Sequence, residues 1–295
     1  MTSARQLFDY LTTRIVNYPI KEKQAIVHIL LNHFLRLNNV DVLVDRPIAP
    51  DNLQPDWEKI IERLNRNEPV QHIIGSEEFC GLKFTVSSSV LIPRPETEEL
   101  VRLITRDYNE EDEKVSILDI GTGSGCIAIV LARFLPHAEV YGWDVSENAL
   151  QVARDNAFRL MANVTFEIRD ILDPKTSEML GGKEFDCIVS NPPYVTYAEA
   201  EQMRPNVLRF EPHEALFVED SSPLLFYQAI ADFGKKHLKP GGRCYVEINE
   251  HFGPETVEVF AGKGYINVDL LKDIHGKNRF IRADLFSVFM NSNPD

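Results

Sequence analysis

The chain has 295 residues, 44% of them hydrophobic and 26% charged, with a net charge of −14. That length holds two domains and one sizeable core, and the composition is that of an ordinary soluble protein. The acidic balance argues against tight binding along a nucleic-acid backbone, where many Lys and Arg must neutralise phosphates, while leaving room for a local basic patch or a basic protein partner.

The N-terminal Met1-Thr2-Ser3-Ala4-Arg5 lacks the apolar core of a signal peptide, and no apolar run approaches the roughly 20 residues of a membrane span. A cytoplasmic location with no membrane association is therefore expected. Residues 1–68 show helical stripes: Leu7, Leu11 and Ile15; then Ile26, Ile29, Leu30, Phe34 and Leu37; then Trp57, Ile60, Ile61 and Leu64. Pro19 and the Pro47–Pro50 stretch punctuate them. Such stripes are ordinary core positions of a small bundle, the alternative being a surface that docks a partner. Residues 69–93 change character. Alternation around Gly81 in Phe79–Val86 predicts a β-hairpin, placed here as the linker to a second domain over 94–295.

Pro95 suits a first helical turn and Glu96, Glu98 and Glu99 suit its dipole, so a helix is predicted to about Tyr108, followed by a solvated turn over Asn109–Lys114. From Val115 strands and helices alternate. The strands are Val115–Ile120, Glu139–Trp143, Val164–Ile168, Phe185–Ser190 and Arg243–Ile248, with helices after Gly125, Ser146 and Pro223. They are apolar and nearly continuous, as in a parallel sheet covered on both faces, so the class is α/β. Ile266–Leu271 and Arg279–Phe289 are the last two strand candidates. Cys80, Cys126, Cys187 and Cys244 stand apart without a CxxC spacing, so buried thiols and no metal are expected.

Gly121-Thr122-Gly123-Ser124-Gly125 lies between a strand and a helix, where glycine lets the backbone turn sharply and approach a ligand closely. Alone this also suits a nicotinamide cofactor. Asp144 ends the next strand, about twenty residues on, where a carboxylate can accept ribose hydroxyls, and Asp170 ends the third, where one could accept an adenine amino group. Each taken singly is equally an N-cap or loop acid. Asp119 lies inside the first strand; a structural role toward the loop backbone is preferred over contact with the cofactor's amino group.

Asn191-Pro192-Pro193-Tyr194 follows the fourth strand. A primary amide or aromatic amine presents two N–H donors in one plane and needs two acceptors. The Asn191 side-chain carbonyl is one and the Pro192 backbone carbonyl is the natural second, with no proline N–H to compete. Tyr194 can stack on the planar group and wall off water. Two acceptors would raise electron density on a poor nitrogen nucleophile and stabilise the positive charge that grows there during attack on a sulfonium methyl. The alternative is a proline-rich turn capped by Asn191.

With these residues the chain resembles the protein-(glutamine-N5) methyltransferases of the PrmC/HemK type, which methylate the glutamine of the Gly-Gly-Gln motif in peptide chain release factors. Five segments carry the likeness: Leu91-Ile92-Pro93-Arg94-Pro95-Glu96-Thr97-Glu98, Leu118–Gly125, Asp144, Ser190–Val195, and Phe210-Glu211-Pro212-His213-Glu214-Ala215-Leu216-Phe217. It covers about residues 70–290 by motif and the first 68 by helical pattern and length. The resemblance implies a class I S-adenosylmethionine-dependent methyltransferase, Rossmann-like with a mostly parallel seven-stranded sheet, and a small N-terminal helical domain joined by a β-hairpin linker. It implies that Gly121, Thr122, Gly123, Ser124 and Gly125 cradle S-adenosylmethionine, that Asp144 holds its ribose, and that Asp170 and Ile171 border its adenine. Asn191, Pro192, Pro193 and Tyr194 would bind the substrate glutamine, Asn191 also lying near the methionine end of the cofactor. Arg94, Thr97 and Glu98 would line the mouth. S-adenosylhomocysteine would be the product, and the release factor would dock on residues 1–68. The chain is expected to act as a monomer without binding nucleic acid directly. Two departures stand out: Ile171 occupies a place that is aromatic in some members, and Val218–Pro223 replaces a glycine-bearing loop.

Other activities share parts of this pattern. Related enzymes methylate a glutamine in a ribosomal protein. Adenine-N6 methyltransferases of DNA or RNA share Asn-Pro-Pro-Tyr but need a recognition module and phosphate contacts. An NAD-dependent oxidoreductase would leave Asn191–Tyr194 idle, and a binding module without turnover would have no need of it.

Overall fold

The computed structural model describes residues 3–49, 55–109 and 114–286. The interior of the predicted 109–114 turn, Pro50, and residues 287–289 of the predicted last strand lie outside them. Contacts divide the chain into Met1–Ser76 with Arg204–Phe210, and Glu77–Met203 with Glu211–Asp295.

The first unit is helical: α1 (Ala4–Arg14), α2 (Ile20–Leu35), α3 (Asn39–Leu43), α4 (Trp57–Asn65) and α5 (Val70–Ile74). Ser3 and Asp56 cap α1 and α4 by accepting from backbone N–H groups of the first turn, and Pro19 immediately precedes α2. Leu7, Leu11, Ile15, Leu30 and Leu64 meet in one core. Ile29, expected in that stripe, is instead 38% exposed. Val70 is buried in the same core with Ile73 and Ile74 packed against it, so the helical unit runs past the boundary at 68 and takes the first part of the expected linker. It also takes Arg204–Phe210 from the expected second domain; Arg204 pairs with Glu22 at 2.9 Å.

The second unit opens on a hairpin of β1 (Ser76–Phe79) and β2 (Leu82–Thr85). Cys80 (φ 49°) and Gly81 (φ 74°) both turn left-handed, the geometry of a tight two-residue hairpin loop. Helix α6 (Pro95–Tyr108) follows, with Pro95 in its first turn. The sheet then builds from β3 (Ser116–Ile120), β4 (Glu139–Asp144), β5 (Val164–Ile168) and β6 (Phe185–Ser190). Helices α7 (Cys126–Phe134), α8 (Glu147–Arg159) and the short α9 (Lys175–Glu178) connect them. Two-residue strands β7 (Val195–Thr196) and β8 (Phe217–Val218) pair with each other, and α10 (Pro205–Phe210) lies between them in sequence. The chain continues through α11 (Leu225–His237), β9 (Leu238–Glu247), α12 (Gly253–Gly262), β10 (Tyr265–Lys272) and β11 (Asn278–Leu285).

The seven-stranded sheet has the order β10-β11-β9-β6-β3-β4-β5. Six strands share one direction, five of them paired in parallel, and β11 alone is reversed, antiparallel to both β9 and β10. Successive side chains alternate between faces. Ile117, Cys187, Val189 and Tyr245 join the core under α6 and α7, while Leu118, Ile188, Cys244 and Val246 join the one under α11 and α12. Helix α12 was not predicted, although Pro in its first turn and Glu255 mark its start. No helix among the described residues is long and apolar enough to cross a membrane.

Asn156, fully buried on α8, ties the hairpin to the glycine loop. Its Oδ1 accepts from the Thr85 N–H at 2.7 Å, and Nδ2 donates to the carbonyls of Thr85 and Ser124, both at 3.0 Å. Asn156→Ala leaves buried backbone groups unpaired, and a loss of about 2 kcal/mol is expected by denaturant melting. A change below about 0.5 kcal/mol would mean that water replaces the amide without loss.

Candidate active site

The carboxyl ends of β3, β4, β5 and β6 open onto one pocket, as expected for an open α/β sheet. The glycine loop is folded by strand-end acceptors. Gly121 N–H and Thr122 N–H both donate to the Trp143 carbonyl, at 2.8 and 2.9 Å. Gly123 N–H donates to Asp144 Oδ2 at 2.9 Å. Gly121 (φ 73°) and Gly123 (φ 55°) are left-handed, and a Cβ on either would meet nothing within 4 Å, so the loop leaves open space for a ligand to approach its backbone. Gly125 serves otherwise: a Cβ there would come 2.9 Å from Ile129 Cδ1 and 3.1 Å from Ala153 Cβ, so its smallness lets α7 and α8 pack closely.

Asp119 is fully buried. Its Oδ2 accepts from Thr122 Oγ1 at 2.6 Å and from Ala128 N–H at 3.3 Å, the structural role preferred from the sequence. Burial pushes its carboxyl up to about 7, against the pull of those two bonds. Asp144 lines the pocket while its two oxygens accept from Gly123 and Ser146, so it holds the loop as well as facing the cavity. Burial raises its pKa and these backbone bonds oppose the rise. Asp170 is exposed at the rim; its Oδ1 accepts from Leu172 N–H at 2.8 Å, and it lines the pocket beside Ile171.

At the end of β6, Ser190 Oγ donates to the Ile120 carbonyl at 2.7 Å and locks the tips of β6 and β3 together. Asn191, Pro192 and Pro193 line the pocket. The Leu216 carbonyl accepts from the Tyr194 and Val195 N–H groups, and Asn249 Nδ2 donates to the Tyr194 carbonyl, so the segment is held from both sides. Tyr194 itself does not line the pocket. Its ring packs into the core under α11 and its hydroxyl donates to Glu247 Oε1 at 3.1 Å, which corrects the expected stacking wall. Burial pushes the Tyr194 phenol well above its ordinary value.

Of the three expected mouth residues, Arg94 and Thr97 line the pocket and Glu98 does not. Glu98 accepts from Cys80 N–H at 2.9 Å and from Arg102 at 2.6 Å, so it anchors the hairpin turn on α6 instead. Arg94 pairs with buried Glu211 at 2.6 Å. Thr97 is 2% exposed; it donates to Glu247 Oε2 at 2.7 Å and accepts from Asn191 Nδ2 at 3.2 Å. The sequence reading gave no role to Glu211, Glu247 or Asn249, nor to Phe226 and Ile230 of α11, which wall the pocket. The available signal for Glu247 was a lone acid at the end of an apolar strand. Among the described residues, no group of three or more His, Cys, Asp or Glu could hold a metal ion.

A glycine loop after the first strand, acids closing the next two, and a proline-rich acceptor segment after the fourth make this a class I S-adenosylmethionine-dependent methyltransferase. Residues 111–252 match the methyltransferase domain family. A solved methyltransferase from Pyrococcus furiosus, 19% identical, has the same fold with a TM-score of 0.51, covering 76% of this chain and 98% of its own. Residues 6–75 match the PrmC N-terminal domain family. Curated proteins named release factor glutamine methyltransferase are similar over most of their length. The one from Bacteroides thetaiotaomicron is 44% identical, covering 90% of this chain and 94% of its own. The one from Flavobacterium psychrophilum is 43% identical, covering 90% and 92%. The chain belongs to the release factor glutamine methyltransferase family.

Proposed function

We propose that this chain methylates the side-chain amide nitrogen of the Gly-Gly-Gln glutamine in a peptide chain release factor. The observation that carries the reading is Asn191 at the pocket wall with its Nδ2 engaged by Thr97, which leaves the side-chain carbonyl for a substrate amide. Bound in the glycine cradle, S-adenosylmethionine supplies an electrophilic methyl group and leaves as S-adenosylhomocysteine. Gly121–Ser124 would receive it along their backbone, Asp144 would accept from its ribose, and Asp170 and Ile171 would border its adenine.

Asn191 Oδ1 and the Pro192 carbonyl accept the two amide hydrogens of the glutamine. They hold the nitrogen in place, enrich its electron density and stabilise the positive charge that develops as it attacks. The methylated amide cation is strongly acidic, so its surplus proton passes to solvent without a dedicated base. The first helical unit holds the release factor at a distance from the reacting glutamine. Removing residues 1–68 is expected to raise KM for the release factor by about 10-fold or more while S-adenosylhomocysteine affinity is retained; equal loss of both would sink the docking role.

Gly123→Ala is expected to weaken S-adenosylhomocysteine about 10-fold or more in calorimetric titration, since the new methyl stands where the loop backbone must meet its ligand. The left-handed backbone adds about 1–2 kcal/mol of strain, read as a lower melting temperature. Unchanged affinity would remove the loop from the cofactor site.

The function is tested by incubating the protein with S-adenosylmethionine and a purified release factor and mapping the product by peptide mass spectrometry. One added methyl on the Gly-Gly-Gln glutamine supports the reading. Label on another protein or on nucleic acid instead would overturn the substrate and leave the fold and cofactor in place.

A further inference from the structure

Glu247 ends β9 beneath the pocket and is 1% exposed. Its two oxygens take separate hydroxyls, Thr97 at 2.7 Å and Tyr194 at 3.1 Å. Burial raises its pKa above the ordinary carboxylate value, the nearby charge of Glu96 adds to the rise, and the two hydroxyls and Arg279 oppose it. In both bonds the hydroxyl donates and a Glu247 oxygen accepts. Thr97 has a single hydrogen, and Glu247 takes it. Toward Asn191, at 3.2 Å, the Thr97 oxygen can therefore only accept. The Asn191 amide must then turn Nδ2 to Thr97, and the opposite arm of the planar group, Oδ1, remains for the pocket that Asn191 lines.

We infer that Glu247 is a positioning residue that sets the polarity of the active site: acting through Thr97, it makes Asn191 present an acceptor rather than a donor to the substrate nitrogen. The inference rests on the proposed role of Asn191. It assigns to Glu247 the discrimination between glutamine and glutamate at the reacting position. Two carbonyl oxygens welcome an NH2 group and repel a carboxylate. If the Asn191 amide turned over, one of the two acceptors would become a donor.

Glu247→Gln permits that turnover at nearly constant volume, with the glutamine NH2 toward Thr97, and Thr97→Val breaks the link whichever way the glutamine amide faces. Its amide can donate to Thr97, which frees the Thr97 hydrogen for Asn191 Oδ1. The expected result has three parts. First, kcat falls by about 10²-fold, as for loss of one preorganised polar contact. Second, S-adenosylhomocysteine binding stays within about 2-fold, since the glycine loop is untouched. Third, a release factor carrying glutamate at the acceptor position inhibits the variant about 10-fold better than it inhibits wild type, relative to the unsubstituted protein. A purely structural defect would weaken both release factors alike and leave their ratio unmoved. Thr97→Val removes the same link and is expected to give the same low kcat and the same shifted ratio, so the test survives if Glu247→Gln folds poorly.

An unchanged glutamine-to-glutamate ratio in both variants, or kcat within about 3-fold of wild type, overturns the inference. Asn191→Ala assayed alongside separates the two levels. If Asn191→Ala still methylates glutamine at the wild-type rate, the proposed role of Asn191 has failed. If it does not, and Glu247→Gln does, only the role of Glu247 has failed.

Discussion

Asn191→Ala is expected to lower kcat for release-factor methylation by about 10³-fold, with S-adenosylhomocysteine affinity within a few-fold of wild type. On the proposed function, the substitution removes one of the two acceptors that would distinguish the reacting nitrogen from solvent-bathed amides. It also frees Thr97, whose oxygen then has no Asn191 Nδ2 to accept from. The loss falls on kcat more than on KM because the acceptor matters most as positive charge grows on nitrogen, and less in the resting complex. The cofactor cradle is built from other elements: the Trp143 carbonyl and Asp144 hold its loop with no bond to Asn191. Single-turnover rates with saturating S-adenosylmethionine, paired with calorimetry of the product, separate the two effects. A rate within about 5-fold of wild type would leave the Asn191 side chain without a chemical role.

The second large effect is one of stability. Glu211, with a side chain fully buried, accepts from Ile92 N–H at 3.0 Å and from Arg94 at 2.6 Å. Glu211→Ala leaves the Ile92 N–H unpaired and the Arg94 charge, whose side chain is only 31% exposed, without its counter-ion. Breaking a buried pair from one side costs about 3–5 kcal/mol, far more than the pair contributes against an apolar replacement. For a unit of this size, even the lower value moves the melting temperature down by about 6–12 °C. Glu211→Leu combined with Arg94→Met removes both charges and should recover the part of that loss that comes from the stranded Arg94 charge, while the Ile92 N–H stays unpaired and Arg94 no longer contributes to the pocket wall. A single variant that melts within about 2 °C of wild type would show that solvent reaches Arg94 freely enough to replace the carboxylate.

What was legible in the sequence was local. The β3 strand, the glycine loop and α7 follow one another within a short stretch, and both the apolar run and the glycine spacing are visible there. The same holds for β4 with Asp144 and for β6 with Asn191. Residues whose meaning depends on a distant partner were misplaced or missed. Glu98 looked like a mouth residue because it lies on the same turn as Arg94 and Thr97, yet its partners are Cys80 and Arg102. Tyr194 adjoins the acceptor segment, but its hydroxyl is captured by Glu247. Glu211 and Glu247 act on residues 117 and 150 positions earlier, and no spacing rule in one chain connects such pairs. The division between the two units was misjudged for a similar reason: Val70 belongs to the helical core by burial, although its neighbours in sequence resemble a linker.

The Thr97–Glu247 bond also bears on the order in which the molecule matures. The strands that hold the glycine loop and Asp144 are complete once the chain has reached Asp144, and their contacts are among near neighbours. The acceptor pocket needs α6, β6 and β9 together, and β9 can pair only after α11 has been made. Long loops close late, because their entropy is lost before their contacts reward it. A nascent or truncated chain ending before Cys244 would thus carry a formed nucleotide cradle beside an acceptor segment with no fixed orientation. In refolding experiments, recovery of cofactor binding should precede recovery of methyl transfer.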